Sequence, residues 1–184
     1  MSLHHIDYKD LSINPMTLFA EDWGLLGAGT EQQGYNAMTI AWGHLGAIWS
    51  DKLAGKHIHG RPTATCFVRP SRATLGYIDD SEFFSISFLP AERKRALAVM
   101  GKFSGRDTDK FAAAELTPLF HAETGVVYPQ EANLVFVCRK IYRDRLREDS
   151  FLDPSIVETN YPERDFHYVF VGQIVDVLAT DEHA

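Results

Sequence analysis

Two short segments carry the cations and hydroxyls that an anion needs. The first is Arg69-Pro70-Ser71-Arg72-Ala73-Thr74, at the end of the apolar run Thr63 to Val68. A strand that turns into a helix start presents free backbone N–H groups. Two guanidinium groups beside two hydroxyls there suit a phosphate, because a guanidinium meets phosphate oxygens in a two-pronged fork. The second segment is Gly101-Lys102-Phe103-Ser104-Gly105-Arg106-Asp107-Thr108-Asp109-Lys110-Phe111. Its glycines permit close backbone approach around Ser104, and Arg106 and Lys110 add two more cations. Spacing alone also allows plain alternatives: a surface turn whose arginines pair with acids, and a charged linker between helices.

A third segment, Tyr35-Asn36-Ala37-Met38-Thr39-Ile40-Ala41-Trp42-Gly43, alternates small, polar and aromatic residues. A flat heteroaromatic ring can lie along such a strand, bonded to its backbone and packed on Met38 or Trp42. An ordinary barrel strand with a core methionine and tryptophan is the better fit on these residues alone. Other chemistries lack their signatures. There is no Gly-x-Gly-x-x-Gly after a strand, no Gly-Lys-Ser/Thr phosphate loop and no Gly-x-Ser-x-Gly elbow. His4-His5 and His57-x-His59 come without Cys or carboxylate at a zinc spacing, so no metal site is expected. Cys66 and Cys138 sit in apolar strands and read as core residues.

The elements that must position these segments are mostly strands. In Phe83 to Phe88, Phe84, Ile86 and Phe88 face one way and Ser85 and Ser87 the other. In Phe166 to Leu178, Phe166, Tyr168, Phe170 and Ile174 oppose Val169, Val171, Val175 and Val177, so both faces need cover. Leu134 to Leu146, Asn36 to Trp42 and Thr63 to Val68 complete the strand set. Helices are expected over Pro90 to Met100, closed by Gly101, from an Asp107 cap through Leu116, and for a turn or two over Thr74 to Asp80. The pattern is mainly β with helical inserts, an antiparallel barrel, because regular strand–helix alternation is absent.

Composition narrows the function classes. The 184 residues fit one domain, 1–184, and 45% hydrophobic residues fill a core rather than a disordered chain. A formal charge of −7 argues against a nucleic-acid binder. The charge is uneven, however: Arg69 to Lys110 holds eight basic and six acidic side chains, so the anion-binding potential is concentrated there. Two cysteines fit a reducing compartment, and neither a signal peptide nor a membrane span is evident, so a cytoplasmic protein is expected.

Taken in order, Asn36-Ala37-Met38-Thr39-Ile40-Ala41-Trp42, Arg69-Pro70-Ser71-Arg72-x-Thr74 and Ser104-Gly105-Arg106-Asp107-x-Asp109-Lys110-Phe111 resemble the flavin reductase-like family, and its flavoredoxin-like branch most closely. A closing His167-x-x-x-x-Gly172-Gln173-Ile174 is of the family's type. The similarity covers about Pro15 to Val177, with the core at about 15–178. It implies an FMN-binding split β-barrel and a homodimer with FMN near the interface. By the same resemblance, Asn36, Met38, Thr39, Ile40, Ala41 and Trp42 line the isoalloxazine and ribityl chain. Arg69, Ser71, Arg72 and Thr74 surround the ribityl-phosphate, and Ser104, Arg106 and Lys110 complete the cationic pocket.

The implied activity is oxidoreduction, with hydride passing from NAD(P)H through FMN to free flavin, a small acceptor or a protein partner. One departure stands out. Where nicotinamide-using members often carry Gly-Asp-His, this chain has Arg164-Asp165-Phe166-His167. Aligned on His167, the Asp position holds Phe166, and Asp165 falls on the other side of a strand. His167 is a candidate for flavin or substrate contact, and no general base is named. The alternatives are an FMN-carrying electron-transfer protein without a nicotinamide site, a split-barrel oxidase acting on a pyridoxal-type phosphate, and a structural protein without cofactor.

Overall fold

A strand rich in β-branched and aromatic residues, alternating in polarity, becomes a barrel wall when its neighbours curl around one apolar face. The computed structural model, which describes residues 2–53 and 56–183, shows how this chain does so. The strands are β1 (His4–His5), β2 (Gly24–Thr30), β3 (Gly34–Ile40), β4 (Gly43–Ile48), β5 (Asp51–Leu53), β6 (Lys56–Ile58), β7 (Arg61–Val68), β8 (Phe83–Phe88), β9 (Pro118–Phe120), β10 (Val127–Pro129), β11 (Leu134–Arg145) and β12 (Tyr168–Ala179). The α-helices are α1 (Pro15–Thr17), α2 (Thr74–Asp80), α3 (Lys94–Lys102), α4 (Lys110–Ala113) and α5 (Pro154–Asn160).

The main sheet runs β3-β2-β8-β11-β12-β7-β4, with β1 added on β12, and its neighbours pair antiparallel. One face of it closes on a core containing Leu26, Met38, Cys66, Phe84, Phe136 and Phe170, contributed by six strands. The opposite face of β2, β3, β11 and β12 is covered by α3, α4 and the β9–β10 hairpin through Leu25, Ala37, Leu97, Met100, Phe111 and Val127. This is the antiparallel barrel with helical inserts expected from the strand pattern. A smaller cluster of Val157, Tyr161 and Phe166 packs α5 against the start of the closing strand.

Three local expectations are corrected. The strict alternation of the closing strand breaks at a bulge: Val137 pairs with Asp176 but Cys138 with Ile174, which skips Val175. The skipped residue shifts the period by one, so Val177 joins Phe170 and Ile174 on the barrel core while Val175 is exposed. The helix expected from Asp107 is a single turn, Lys110–Ala113, capped by the Asp109 carboxylate accepting from the Ala112 N–H at 3.1 Å. The helix over 90–100 begins as a 3-10 turn, Ala91–Arg93, and runs through Gly101 to Lys102. Strand β2 was missing from the expected set, as were β4 and α5.

Candidate functional site

β3 ends the main sheet, so its outer row of backbone groups has no strand partner. Against this edge lie the turn after β7 and the loop between α3 and α4, which bring the three chemistry-bearing segments together. Asn36, on β3, donates from Nδ2 to the Thr74 hydroxyl at 3.2 Å, tying the edge strand to the start of α2. Gly105 fits directly over the Asn36 amide, where a Cβ would come within 2.5 Å of Oδ1. Arg72 reaches the Gly101 carbonyl at 3.0 Å, closing the turn onto the end of α3.

The result is a small cavity of about 80 Å³ whose lining includes Asn36, Ser71, Arg72, Thr74, Ser104 and Lys110. Lys110 decides its character. The side chain is 5% exposed, and its Nζ donates to the Ala37 carbonyl on the free edge of β3 at 2.5 Å. Among the described residues neither Lys110 nor Arg72 forms an ion pair. Burial, and secondarily the Arg72 charge, push the Lys110 ammonium down to about 8. Two cations with hydroxyls and no carboxylate form a receptor for an anion.

Met38 and Arg72 also line a second cavity of about 180 Å³ that continues along Thr39, Ile40, Ala41 and Trp42 to Phe67, Arg69 and His167. A slot lined by apolar and polar groups together at one end and cationic at the other suits a ring that carries hydrogen-bonding edges and a phosphorylated tail. Beyond it, Ala41, Trp42 and Phe67 open onto a broad groove of about 710 Å³ formed with Pro15, Met16, Phe19, His44 and Leu45.

The expected site residues take different places in this slot. Asn36, Ser71, Arg72, Thr74, Ser104 and Lys110 meet at the cationic end. Met38 spans both ends, and Ala41 and Trp42 line the ring end. Thr39 also lines the ring end, with its hydroxyl donating to the Leu97 carbonyl at 2.5 Å. Ile40 turns its side chain into the barrel core. Arg69 faces the ring end, held by Asp165 through two 2.6 Å contacts and by the Asn160 carbonyl at 2.8 Å. Arg106 is exposed and lines neither cavity.

His167 is 8% exposed and stands at the ring end, 4.8 Å from the Trp42 ring. Burial, then the charge of Arg69, holds its imidazolium down to about 4 against the opposing pull of Asp165. Behind it the Tyr161 hydroxyl lies 2.8 Å from Nδ1. Tyr161 was missed by sequence reasoning, its only signal being its place six residues before His167. Asp165, expected on the far side of a strand, instead lies in the loop before β12 and holds Arg69, a partner 96 residues away.

The sequence of residues 59–184 matches the flavin reductase like domain model. The chain belongs to the flavin reductase-like family. No curated protein sequence matches it. Among solved structures it is similar to the FMN-binding domain of a flavin reductases-like enzyme from Shewanella baltica OS155, at 14% identity and a TM-score of 0.63, covering 97% of this chain and 77% of that one. Flavoredoxin of Desulfovibrio vulgaris (Miyazaki F) matches at 19% identity and 0.59, over 94% and 73% of the two chains. Nitrilotriacetate monooxygenase component B from Bacillus cereus matches at 14% identity and 0.63, over 94% and 82%. These likenesses concern the fold, and they agree with the flavin reductase-like split barrel expected from the three motifs. Among the described residues, no helix is long and apolar enough to cross a membrane.

Proposed function

We propose that this chain binds FMN in the slot along β3 and works as an FMN-dependent oxidoreductase. The observation that carries the reading is the buried Lys110 and the solvent-edge Arg72, neither paired with a carboxylate among the described residues, at one end of the slot. The residues fit the group: a phosphate supplies the negative charge that this pair lacks, and Thr74, Ser71 and Ser104 offer hydroxyls to its remaining oxygens. Arg69 has one prong on Asp165 and the other on the Asn160 carbonyl, and belongs to the ring end. The Met38 to Trp42 stretch gives the ring an apolar flank and free backbone groups on the open edge of β3. When bound, the flavin supplies two-electron hydride exchange, and the protein's part is to hold the ring, exclude water and set its potential.

In this reading hydride comes from NAD(P)H and passes to free flavin, a small acceptor or a partner protein over Trp42 and Phe67. The broad groove beside those residues gives a second substrate room next to the ring end. Exposed Trp42, Ile48 and Trp49 on and around β4 support a homodimer that covers this side. A second reading, an FMN carrier without its own nicotinamide site, is favoured by one feature: Asp165 is engaged with Arg69 and is not free to meet a nicotinamide.

Titration of the cofactor-free protein with FMN, followed by quenching of flavin fluorescence, tests the binding. The double variant Arg72→Ala/Lys110→Ala is expected to lose roughly 150-fold or more in affinity, since each of the two charged hydrogen bonds contributes about 1.5–3 kcal/mol. Unchanged affinity sinks the assignment. Anaerobic mixing with NADH or NADPH then separates enzyme from carrier: bleaching of the bound flavin supports the oxidoreductase, and bleaching by dithionite alone supports the carrier.

A further inference from the structure

We propose that Tyr161 is a positioning residue that fixes His167 as a neutral Nε2–H donor at the ring end, where it binds a carbonyl oxygen of the molecule that exchanges hydride there; the second half rests on the flavin reading above. Tyr161 is 1% exposed, wedged between Val157 and Phe166, and its hydroxyl has a single partner among the described residues, His167 Nδ1 at 2.8 Å.

If Nδ1 carried the proton and donated to Tyr161, the phenolic hydrogen would have no acceptor. An unmade hydrogen bond on a buried group costs about 1–3 kcal/mol. The satisfied arrangement has the phenol donating to Nδ1, which places the ring proton on Nε2. Nε2 itself has no partner among the described residues, yet it is not one of the buried unpartnered atoms, so it keeps accessible surface. Because His167 lines the ring-end cavity, that surface opens beside Trp42 and Arg69.

The surroundings hold the arrangement. The Arg69 guanidinium lies 5.3 Å from the Tyr161 ring centroid and is pinned by Asp165 and the Asn160 carbonyl. Arg164, at φ 56°, forms the turn between Tyr161 and Asp165, its N–H donating to the Tyr161 carbonyl at 3.0 Å. Burial and two nearby arginines disfavour the imidazolium, so the group that meets a ligand is an uncharged donor. An uncharged N–H selects a neutral oxygen, such as the carboxamide of a reduced nicotinamide or the carbonyl of an acceptor, without attracting anions by charge.

The test compares wild type with Tyr161→Phe, which keeps the ring packed and removes the hydroxyl. In ¹⁵N NMR of the labelled protein at pH 7, His167 is expected as one Nε2–H tautomer in wild type and as a mixture in the variant. A single unchanged tautomer in the variant overturns the positioning role. In anaerobic FMN reduction, the apparent affinity for NADH or NADPH should fall about 2- to 10-fold, the range of one neutral hydrogen bond. FMN affinity should stay within twofold. His167→Gln, whose amide nitrogen falls near Nε2, should keep most of the affinity, whereas His167→Asn, whose nitrogen falls near Nδ1, should lose it.

Equal losses in those two variants overturn the donor role. If neither nicotinamide reduces wild type, the same ratios are expected for reoxidation of dithionite-reduced protein by a quinone. Their absence in both half-reactions overturns carbonyl recognition. Failure of wild type to bind FMN would remove the flavin reading and carbonyl recognition with it, while the tautomer measurement would still decide for or against Tyr161.

Discussion

Replacing Lys110 by Met should make the cofactor-free protein more stable and its FMN binding worse. The charged form of Lys110 is disfavoured from an ordinary 10.5 down to about 8. At about 1.4 kcal/mol per pKa unit, keeping the ammonium charged at pH 7 costs about 3 kcal/mol. Methionine keeps the stem and removes that cost. It also forfeits the bond to the Ala37 carbonyl, about 1 kcal/mol net.

The expected gain is therefore about 2 kcal/mol at pH 7, or roughly 4–8 °C in Tm for a chain of this size. The sign with pH follows from proton counting. Between pH 8 and 10.5 the unfolded lysine holds more proton than the folded one, so wild-type stability from this residue rises with pH across that window. By pH 9.5 the cost falls to about 1.4 kcal/mol and the variant's advantage nearly vanishes. Differential scanning fluorimetry of both proteins at pH 7 and 9.5 reads the gap, in which all other titrating groups cancel. A gap independent of pH, or a variant less stable at pH 7, refutes the buried-cation argument. FMN affinity of the same variant should fall about 10- to 150-fold, matching one lost charged hydrogen bond.

Other outcomes follow from the same geometry. Arg72→Ala should collapse the ratio of FMN to riboflavin affinity, whereas Arg69→Ala should leave that ratio intact, because Arg69 is committed to Asp165; isothermal titration with both flavins decides it. The His167 ring should titrate near pH 4 in NMR. Its unfolded counterpart binds a proton first, so its contribution to stability rises with pH from about 4 to 6.5 and is flat above. Gly172→Ala would place a methyl 2.5 Å from Phe84 and 2.6 Å from Cys138, and urea unfolding should show a loss of about 1–3 kcal/mol. Gly105→Ala should displace Asn36 and weaken FMN binding with a smaller effect on Tm.

Much of the barrel is legible in the sequence where the two faces of a strand differ in polarity. Phe83 to Phe88 alternates cleanly and becomes a strand of those same residues. β2 escapes notice because Gly-Leu-Leu-Gly-Ala-Gly-Thr carries three glycines, which weaken a strand signal, and no alternation, since its first six residues are buried. The closing strand is recognised but its faces are misassigned after Val175, because a bulge is a property of strand pairing. At the site, the cations and hydroxyls are visible by type, yet which arginine is free is not. That depends on Asp165, whose distance from Arg69 only the folded barrel defines.

The order of strands in the sheet has a consequence for how the protein is made. β12 follows every other strand in sequence, yet it stands between β11 and β7. Until it is in place, β3-β2-β8-β11 and β7-β4 are two separate ribbons, each ending in an unpaired edge. The slot draws its edge strand from one ribbon and its Arg69–Arg72 turn from the other, so a nascent chain lacks the slot proposed for FMN until this strand docks. Premature truncation before Tyr168 would leave two sticky edges and no ligand to rescue them, and FMN supplied during synthesis would protect only chains that had already joined their halves.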